Sequence, residues 1–505
     1  MKAISKNMLL SIFARLSTIV TGVIVQRYIL IAYGSTLNGL TSSISQVMSY
    51  LVLLEAGLGS ASIQALYHPL AQSDWPGISG ILAATGKEYR KISIAFFTLL
   101  IVVSILLPLA VKSEIDFFLA ASLTFITGTS SIVSYILGGK YKAILSADQK
   151  MYVLYLLDIV VVIISCLFRV LLLINGFGII AVQSVNLLTV GIKNAGYVIY
   201  VKKKYKEIDY KAKPNNTAIS RRWNVLVHQI SGIVVNHTDI IILTAFSRLS
   251  VVSVYSVYNM IFGQMSNLIQ TTFLQAPQAT FGLLYNRDKQ QFVKQYRMYE
   301  VCFSALLYVL TAVALIMIIP FIKLYTAGIT DIDYIDYWLP ILFALILLMN
   351  QLRAPAIMLI NITGAFKETQ KGAIIEALIN ITVSLSLFFF TDLGLYGLLI
   401  GTVASFLFRT FEVIIYARKK ILSMPVAKHI IMIAVNVAII IAMYVFSRKI
   451  CLSAQTYIEW AIEAAVFMLI AALIISLVNA LGYTSEVKEI RHFAIDRAEK
   501  LFVKK

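Results

Sequence analysis

Seven ionisable residues lie inside long apolar stretches of this 505-residue chain: Arg15, Glu55, Asp158, Arg169, Asp239, Arg353 and Glu376. A charge at the centre of a membrane helix costs about 2.5–3.5 kcal/mol on insertion scales, so each requires water or a partner. The work such groups do in transport is binding and ion coupling, whereas in a purely structural setting they form ion pairs. Arg15 and Glu55 sit about 10 and about 16 Å from the inner boundary at the helical rise, which makes a structural pair and a substrate role equally open. Four stretches also carry polar residues along one helical face. The first holds Ser11, Arg15, Thr18, Gly22 and Gln26, with Arg27 nearly opposite; the second holds Asn38, Thr41, Ser42, Ser45, Gln46 and Ser49. The seventh holds His228, Ser231, Gly232 and Asp239, and the eighth Ser256, Asn259, Gly263, Ser266, Asn267 and Gln270. A smaller stripe, Glu376, Asn380 and Ser384, marks the eleventh. Helix-to-helix hydrogen bonding accounts for any one Ser, Thr or Asn. Four aligned stripes point instead to a water-facing path.

The elements that must position these residues are membrane helices. The chain is 59% hydrophobic and only 13% charged, more apolar sequence than a soluble core buries. Runs of about 20 apolar residues give fourteen expected spans, near 8–33, 38–66, 92–111, 117–138, 151–174, 179–200, 223–246, 251–280, 299–320, 338–362, 372–391, 396–416, 429–447 and 459–481. With the N-terminus inside, roughly 32 Lys and Arg fall in inner loops and about five in outer ones. Both termini are then cytoplasmic. The net charge of +18 follows from this positive-inside bias, and no nucleic-acid partner is needed to explain it.

The chain also repeats itself. Gly178 to Lys204 aligns with Gly394 to Lys420 at a constant offset of 216, setting Lys193 over Arg409 and Tyr200 over Tyr416, and both segments end in a basic triplet. Lys87-Glu88-Tyr89-Arg90 echoes Lys294-Gln295-Tyr296-Arg297, and Gln149-Lys150 echoes Gln370-Lys371. A duplicated six-helix unit is implied. The expected organisation is an N-terminal bundle at 1–210, a second bundle at 215–420, an appended helix pair at 425–482 and a cytoplasmic amphipathic tail at 483–505. Two bundles of like orientation enclose a central cleft, which the first two helices of each repeat line. Lys193 and Arg409, near inner helix ends, are expected to snorkel.

Other motifs carry less. Gly80 to Gly86-Lys87 departs from a phosphate-binding loop in spacing, and Glu88 replaces the required Ser or Thr. Asp331-Ile332-Asp333 has the spacing of a metal-bound nucleotide-sugar site but falls in an outer loop. Cys166, Cys302 and Cys451 have no disulfide or metal spacing. No cofactor and no metal is expected.

The segments Tyr33 to Ile44 (YGSTLNGLTSSI), Leu54 to Gly59 (LEAGLG), Arg353-Ala354-Pro355 and Thr363 to Thr369 (TGAFKET) resemble bacterial polysaccharide repeat-unit flippases. These are oligosaccharidyl-lipid transporters of the multidrug, oligosaccharidyl-lipid and polysaccharide exporter superfamily. The resemblance in layout, six plus six plus two helices, spans the whole chain. It implies a non-enzymatic protein of the bacterial plasma membrane that moves undecaprenyl-diphosphate-linked oligosaccharide outward by alternating access, for capsule or exopolysaccharide synthesis. Candidate partners are membrane lipids, a polysaccharide polymerase and glycosyltransferases. A diphosphate needs cations, which Arg15 and Arg353 supply; a sugar chain needs neutral polar groups, which Gln26, Gln46, Asn259, Asn267 and Gln270 supply. His228, Asp239 and Glu376 are candidates for binding a coupling ion. Two alternatives are a cation-coupled multidrug exporter of the same superfamily, which favours an aromatic or acidic cleft, and a membrane polymerase or glycosyltransferase, which usually needs a larger outer loop than 321–337.

Overall fold

A computed structural model describes residues 2–55, 57–111, 114–215, 237–450 and 454–491. These residues form helices and connecting turns, with no strand among them, because apolar backbone in lipid must satisfy its own hydrogen bonds. In chain order the helices are α1 (Lys2–Leu51), α2 (Leu58–Gln72), α3 (Trp75–Val111), α4 (Phe117–Val133), α5 (Gly139–Ala147), α6 (Met151–Ile174), α7 (Ile179–Lys204) and α8 (His237–Phe246). They continue as α9 (Leu249–Ile269), α10 (Ala276–Arg287), α11 (Lys289–Tyr325), α12 (Leu339–Leu352), α13 (Ala354–Thr363), α14 (Phe366–Phe390), α15 (Leu395–Tyr416), α16 (Ala427–Ser447) and α17 (Tyr457–Gly482).

Ten described helical stretches are long and apolar enough to cross a membrane, and the chain is a multi-pass all-α membrane protein. The difference from fourteen has physical causes. The first two expected spans are one helix broken at a single residue, Gly34, whose φ of 76° only glycine adopts readily. The sixth and eighth are the helices α7 and α9, polar enough to fall short of the apolar criterion, and much of the seventh lies outside the described residues. The expected span 38–66 ends early, because a 3₁₀ turn at Val52–Glu55 and Gly57 at φ 79° divide α1 from α2. Gly80 to Lys87 lies within α3 and forms no loop.

The chain forms two compact units, residues 1–257 with 328–332, and residues 258–327 with 333–505. In the first, α1 packs on α6, α3 on α4, and α6 on α7; in the second, α14 packs on α15 and α11 on α12 and α17. Small side chains permit the close approaches. A Cβ on Gly401 would stand 2.6 Å from the backbone nitrogen of Ser384, so α14 and α15 meet there through glycine.

The start of the tail is held to the protein. Val487 and Ile490 pack against a core of Val301, Met432 and Tyr483, and Arg297 donates to Glu486. Val487 and Ile490 thus spend their apolar face on α11 and α16; Ala494 and Leu501 lie outside the described residues. Burial works to raise the Glu486 carboxyl, but hydrogen bonds from Ser485 and Arg297 outweigh it and hold the carboxyl at about 2, below its ordinary 4.5. A depressed folded pKa contributes stability above 4.5 that is lost as pH falls towards 2. Amide-exchange protection across 484–491, taken relative to the intrinsic rate at each pH, should therefore fall over that acid window, and Arg297→Ala should lower it at neutral pH.

Candidate functional site

Polar side chains meet in the first unit where the part of α1 beyond Gly34 packs against α8 and the start of α9. Asn38 donates to Ser253 Oγ at 2.7 Å and to Ser256 Oγ at 3.3 Å, and Gln26 reaches the same Ser256 hydroxyl at 3.3 Å. One turn on, Ser43 Oγ and Thr244 Oγ1 are 2.6 Å apart; further on, Tyr50 bonds Thr238 at 2.7 Å and Gln46 bonds His237. Asn38, Ser43 and Ser253 are fully buried, so the seam is dry at its centre and its pairs are satisfied within it. Glycine sets its closeness: a Cβ on Gly39 would lie 1.9 Å from the Leu249 carbonyl oxygen, a backbone atom that cannot turn aside. One end of the seam is capped by two loop carboxylates. Asp331 accepts from Ser35 N at 2.6 Å and Ser35 Oγ at 2.7 Å, and Glu114 accepts from Leu249 N at 3.1 and 3.0 Å. Carboxylates suit these positions, because the freed N–H groups at a helix start carry partial positive charge. Asp331 is thereby engaged as a cap, and no His, Cys, Asp and Glu cluster among the described residues suits a metal.

The second unit holds a buried charge network. Glu376 on α14 accepts from Arg353, and its other oxygen lies 3.6 Å from Arg409 Nε on α15. Arg353 also donates to Asn350 at 2.8 Å and lies over the Phe406 ring at 4.4 Å. Arg409 bonds Glu412 at 2.5 Å and the Thr369 carbonyl at 3.0 Å. Beside them Asn380 donates to Thr402 at 3.0 Å and Ser384 to the Leu398 carbonyl at 3.1 Å. Each buried charge therefore has an opposite charge and further hydrogen bonds, the condition under which such charges are tolerated.

The expected site residues divide accordingly. Gln26 and Gln46 join the seam. Arg353 and Glu376, assigned separate roles from sequence, bind each other. Asp239 is buried and accepts from Tyr255 at 3.5 Å. Asn259, Asn267 and Gln270 hold partly or fully exposed positions and make no side-chain hydrogen bond to another described residue. Arg15 is exposed on α1 with no carboxylate partner among the described residues; Glu55 instead accepts from Tyr89 at 2.7 Å, which removes the Arg15–Glu55 pair. His228 lies outside the described residues.

Snorkelling is overturned for both basic residues of the repeat. Lys193 bonds Asp158 on α6 at 3.0 Å, and Arg409, 8% exposed, bonds Glu376 on α14. In each case the cation meets a carboxylate of the preceding membrane helix, which places it inward. The repeat alignment of Lys193 over Arg409 was the signal in sequence. Nothing comparable marked the node of Glu300, Arg418, His429 and Tyr483, in which Arg418 bonds Glu300 at 2.5 Å and His429 at 2.9 Å, and His429 bonds Tyr483 at 3.0 Å.

No family model and no curated protein matches the sequence. Solved structures do match in fold. An inward-facing multidrug resistance MATE family transporter of the MOP superfamily matches with a TM-score of 0.65 and 14% identity, over 82% of this chain and 98% of that one. The lipid II flippase MurJ, in an inward closed conformation, matches with a TM-score of 0.64 and 14% identity, over 95% and 99%. An outward-facing MATE transporter of the same superfamily gives 0.53 and 16%, over 84% and 96%. The chain has the fold of these MOP-superfamily transporters.

Proposed function

We propose, from a fold that MOP-superfamily transporters share, that this chain is a flippase for undecaprenyl-diphosphate-linked oligosaccharide in the bacterial plasma membrane, serving cell-surface polysaccharide synthesis. It works by alternating access and makes or breaks no bond. The observation that carries the reading is Arg15. An arginine exposed in a membrane span, with no acid partner among the described residues, is costly in lipid and stable beside water or an anion. A diphosphate supplies that anion and exploits the guanidinium fork. Gln26 on the same helical face of the first unit offers a neutral polar group for sugars, and in the second unit Asn259 and Asn267 on α9 and Gln270 in the turn that follows it offer others. Arg353 enters the cycle differently. A diphosphate reaching it has to displace Glu376, so cargo binding and the charge state of that carboxylate are linked. Glu376 and Asp239 are then the groups through which an ion gradient acts, with His228 placed in this role from sequence alone. Likeness in fold to a lipid II flippase over 95% of the chain supports a lipid-linked cargo.

The decisive test is the leaflet distribution of lipid-linked oligosaccharide in cells depleted of the protein, read with an impermeant glycan-modifying probe before and after lysis. Inner-leaflet accumulation is expected, relieved by the wild-type chain and not by Arg15→Ala; an unchanged distribution with no redundant flippase overturns the reading. In the same assay Asp239→Asn with Glu376→Gln should abolish gradient dependence. Likeness to MATE transporters at a TM-score of 0.65 favours drug export as the second reading, which drug-susceptibility assays separate.

A further inference from the structure

We propose that Arg90, Lys140 and Lys202, with the ring of Tyr210, form a binding site for the phosphate of an inner-leaflet lipid, independent of which cargo the transporter carries. The three cations come from different helices of the first unit, α3, α5 and α7, and converge. Lys140 Nζ lies 5.1 Å from the Tyr141 ring and 5.4 Å from the Tyr210 ring, and Lys202 Nζ lies 5.7 Å from the same Tyr210 ring. Lys202 and Arg90 both lie close enough to repel the Lys140 ammonium. None of the three has a carboxylate partner among the described residues. Three acids on the same segments are engaged elsewhere, Glu88 with Lys91, Asp148 with Lys150, and Asp209 with the Lys211 backbone N–H, and a fourth, Glu207, is exposed and bonds none of the three cations. Like charges held together without an acid are a standing repulsion that an anion relieves.

The scaffold holds the cluster in place. The chain beyond α7 is pinned to α3 by Asp209 N to Ser79 Oγ at 3.0 Å and Asn215 N to the Gly80 carbonyl at 3.0 Å. Beneath it, Tyr141, Tyr197, Val201, Tyr205 and Ile208 belong to one buried core. The cations are therefore borne by a packed surface.

Exposed aliphatic side chains say what kind of anion fits. One helical turn from each cation is an exposed isoleucine: Ile94 (63%) from Arg90, Ile136 (54%) from Lys140 and Ile199 (66%) from Lys202. A soluble anion has no use for them. A lipid places its phosphate among the cations and its acyl chains along the isoleucines, at the inner end where positive charge favours anionic headgroups. Both a bulk anionic phospholipid and a polyprenyl diphosphate offer this chemistry.

The test uses the full-length protein in detergent, with phosphatidylglycerol and phosphatidylcholine as probes, read by native mass spectrometry. Phosphatidylglycerol should be retained preferentially, and the combined variant Arg90→Gln, Lys140→Gln, Lys202→Gln should weaken its retention at least about tenfold. A control that removes as many charges from the adjoining segment, Lys203→Gln, Lys204→Gln, Lys206→Gln, should change it less than about twofold. Lys140→Arg with Lys202→Arg should retain binding and so exclude misfolding as the cause. Equal loss in the control, or equal retention of both lipids, overturns the site in favour of diffuse charge. Competition with polyprenyl diphosphate names the source: displacement of phosphatidylglycerol at equal concentration assigns the site to the diphosphate lipid, and persistence assigns it to the bulk phospholipid.

Discussion

A Ser43→Cys, Thr244→Cys double variant, with Cys166, Cys302 and Cys451 replaced by serine, should cross-link under mild oxidation, lose transport to background and regain it on reduction. The two hydroxyl oxygens are already 2.6 Å apart, and a disulfide needs about 2.05 Å between sulfurs with little change in the helices that carry them. The hydroxyl that does not give its proton across the seam gives it to its own helix, Ser43 to the Gly39 carbonyl at 3.0 Å or Thr244 to the Ile240 carbonyl at 2.7 Å. If the chain works by alternating access as proposed, and the polar seam between α1 and α8 is a contact that parts in each cycle, a covalent tie there stops turnover without touching cargo. The hydrogen bonds of the seam suit a reversible contact, since each is worth about 0.5–1.5 kcal/mol net and is exchanged for water on opening. Full transport by the oxidised, cross-linked protein would show that the seam is permanent architecture.

Arg353→Ala should destabilise the protein by about 3–5 kcal/mol, because it leaves Glu376 buried with its main counter-charge removed. Arg409 does not replace it. Its Nε is 3.6 Å from Glu376, while its Nη1 is committed to Glu412 and the Thr369 carbonyl. Arg353→Lys should recover only part of the loss, because an ammonium cannot hold Glu376, Asn350 and the Phe406 face together. Adding Glu376→Gln to Arg353→Ala should restore stability relative to the single variant, as expected when the harm is an orphaned charge. Thermal unfolding in detergent measures all three; a double variant no more stable than Arg353→Ala sinks the ion-pair account.

Sequence carried the fold further than the contacts. Apolar length alone placed Met151–Ile174, Ile179–Lys204, Leu395–Tyr416, Ala427–Ser447 and Tyr457–Gly482 close to where they lie, since lipid leaves the backbone few alternatives. Helical phase put Gln26, Asn38, Gln46 and Ser256 on polar faces, and these side chains do meet partners across helices. Depth along a single helix misjudged Arg409 and Lys193. Snorkelling is a property of one helix in lipid, whereas their acids arrive from α14 and α6, and no spacing within α15 or α7 encodes that. The same limit applies to Arg353 and Glu376, twenty-three residues apart on different helices, and to Glu55, whose partner Tyr89 lies on α3. The caps at Ser35 and Leu249 were hidden for another reason: Asp331 and Glu114 are ordinary loop acids until the helix starts they cover are brought beside them.

Gly34 gives α1 a mechanical character that two helices joined by a loop would lack. One residue separates the segment bearing Arg15 from the segment bearing Asn38, Gly39 and Ser43, and its far side is fastened by Asp331 through Ser35. From Arg15 to Gly34 the helix extends about 28 Å at 1.5 Å per residue. With so short a joint there is almost no slack between the arms, so a displacement of the long arm's end would carry the start of the short arm with it. The side chain that would meet an anionic headgroup and the contact that would have to part are two ends of a single crank.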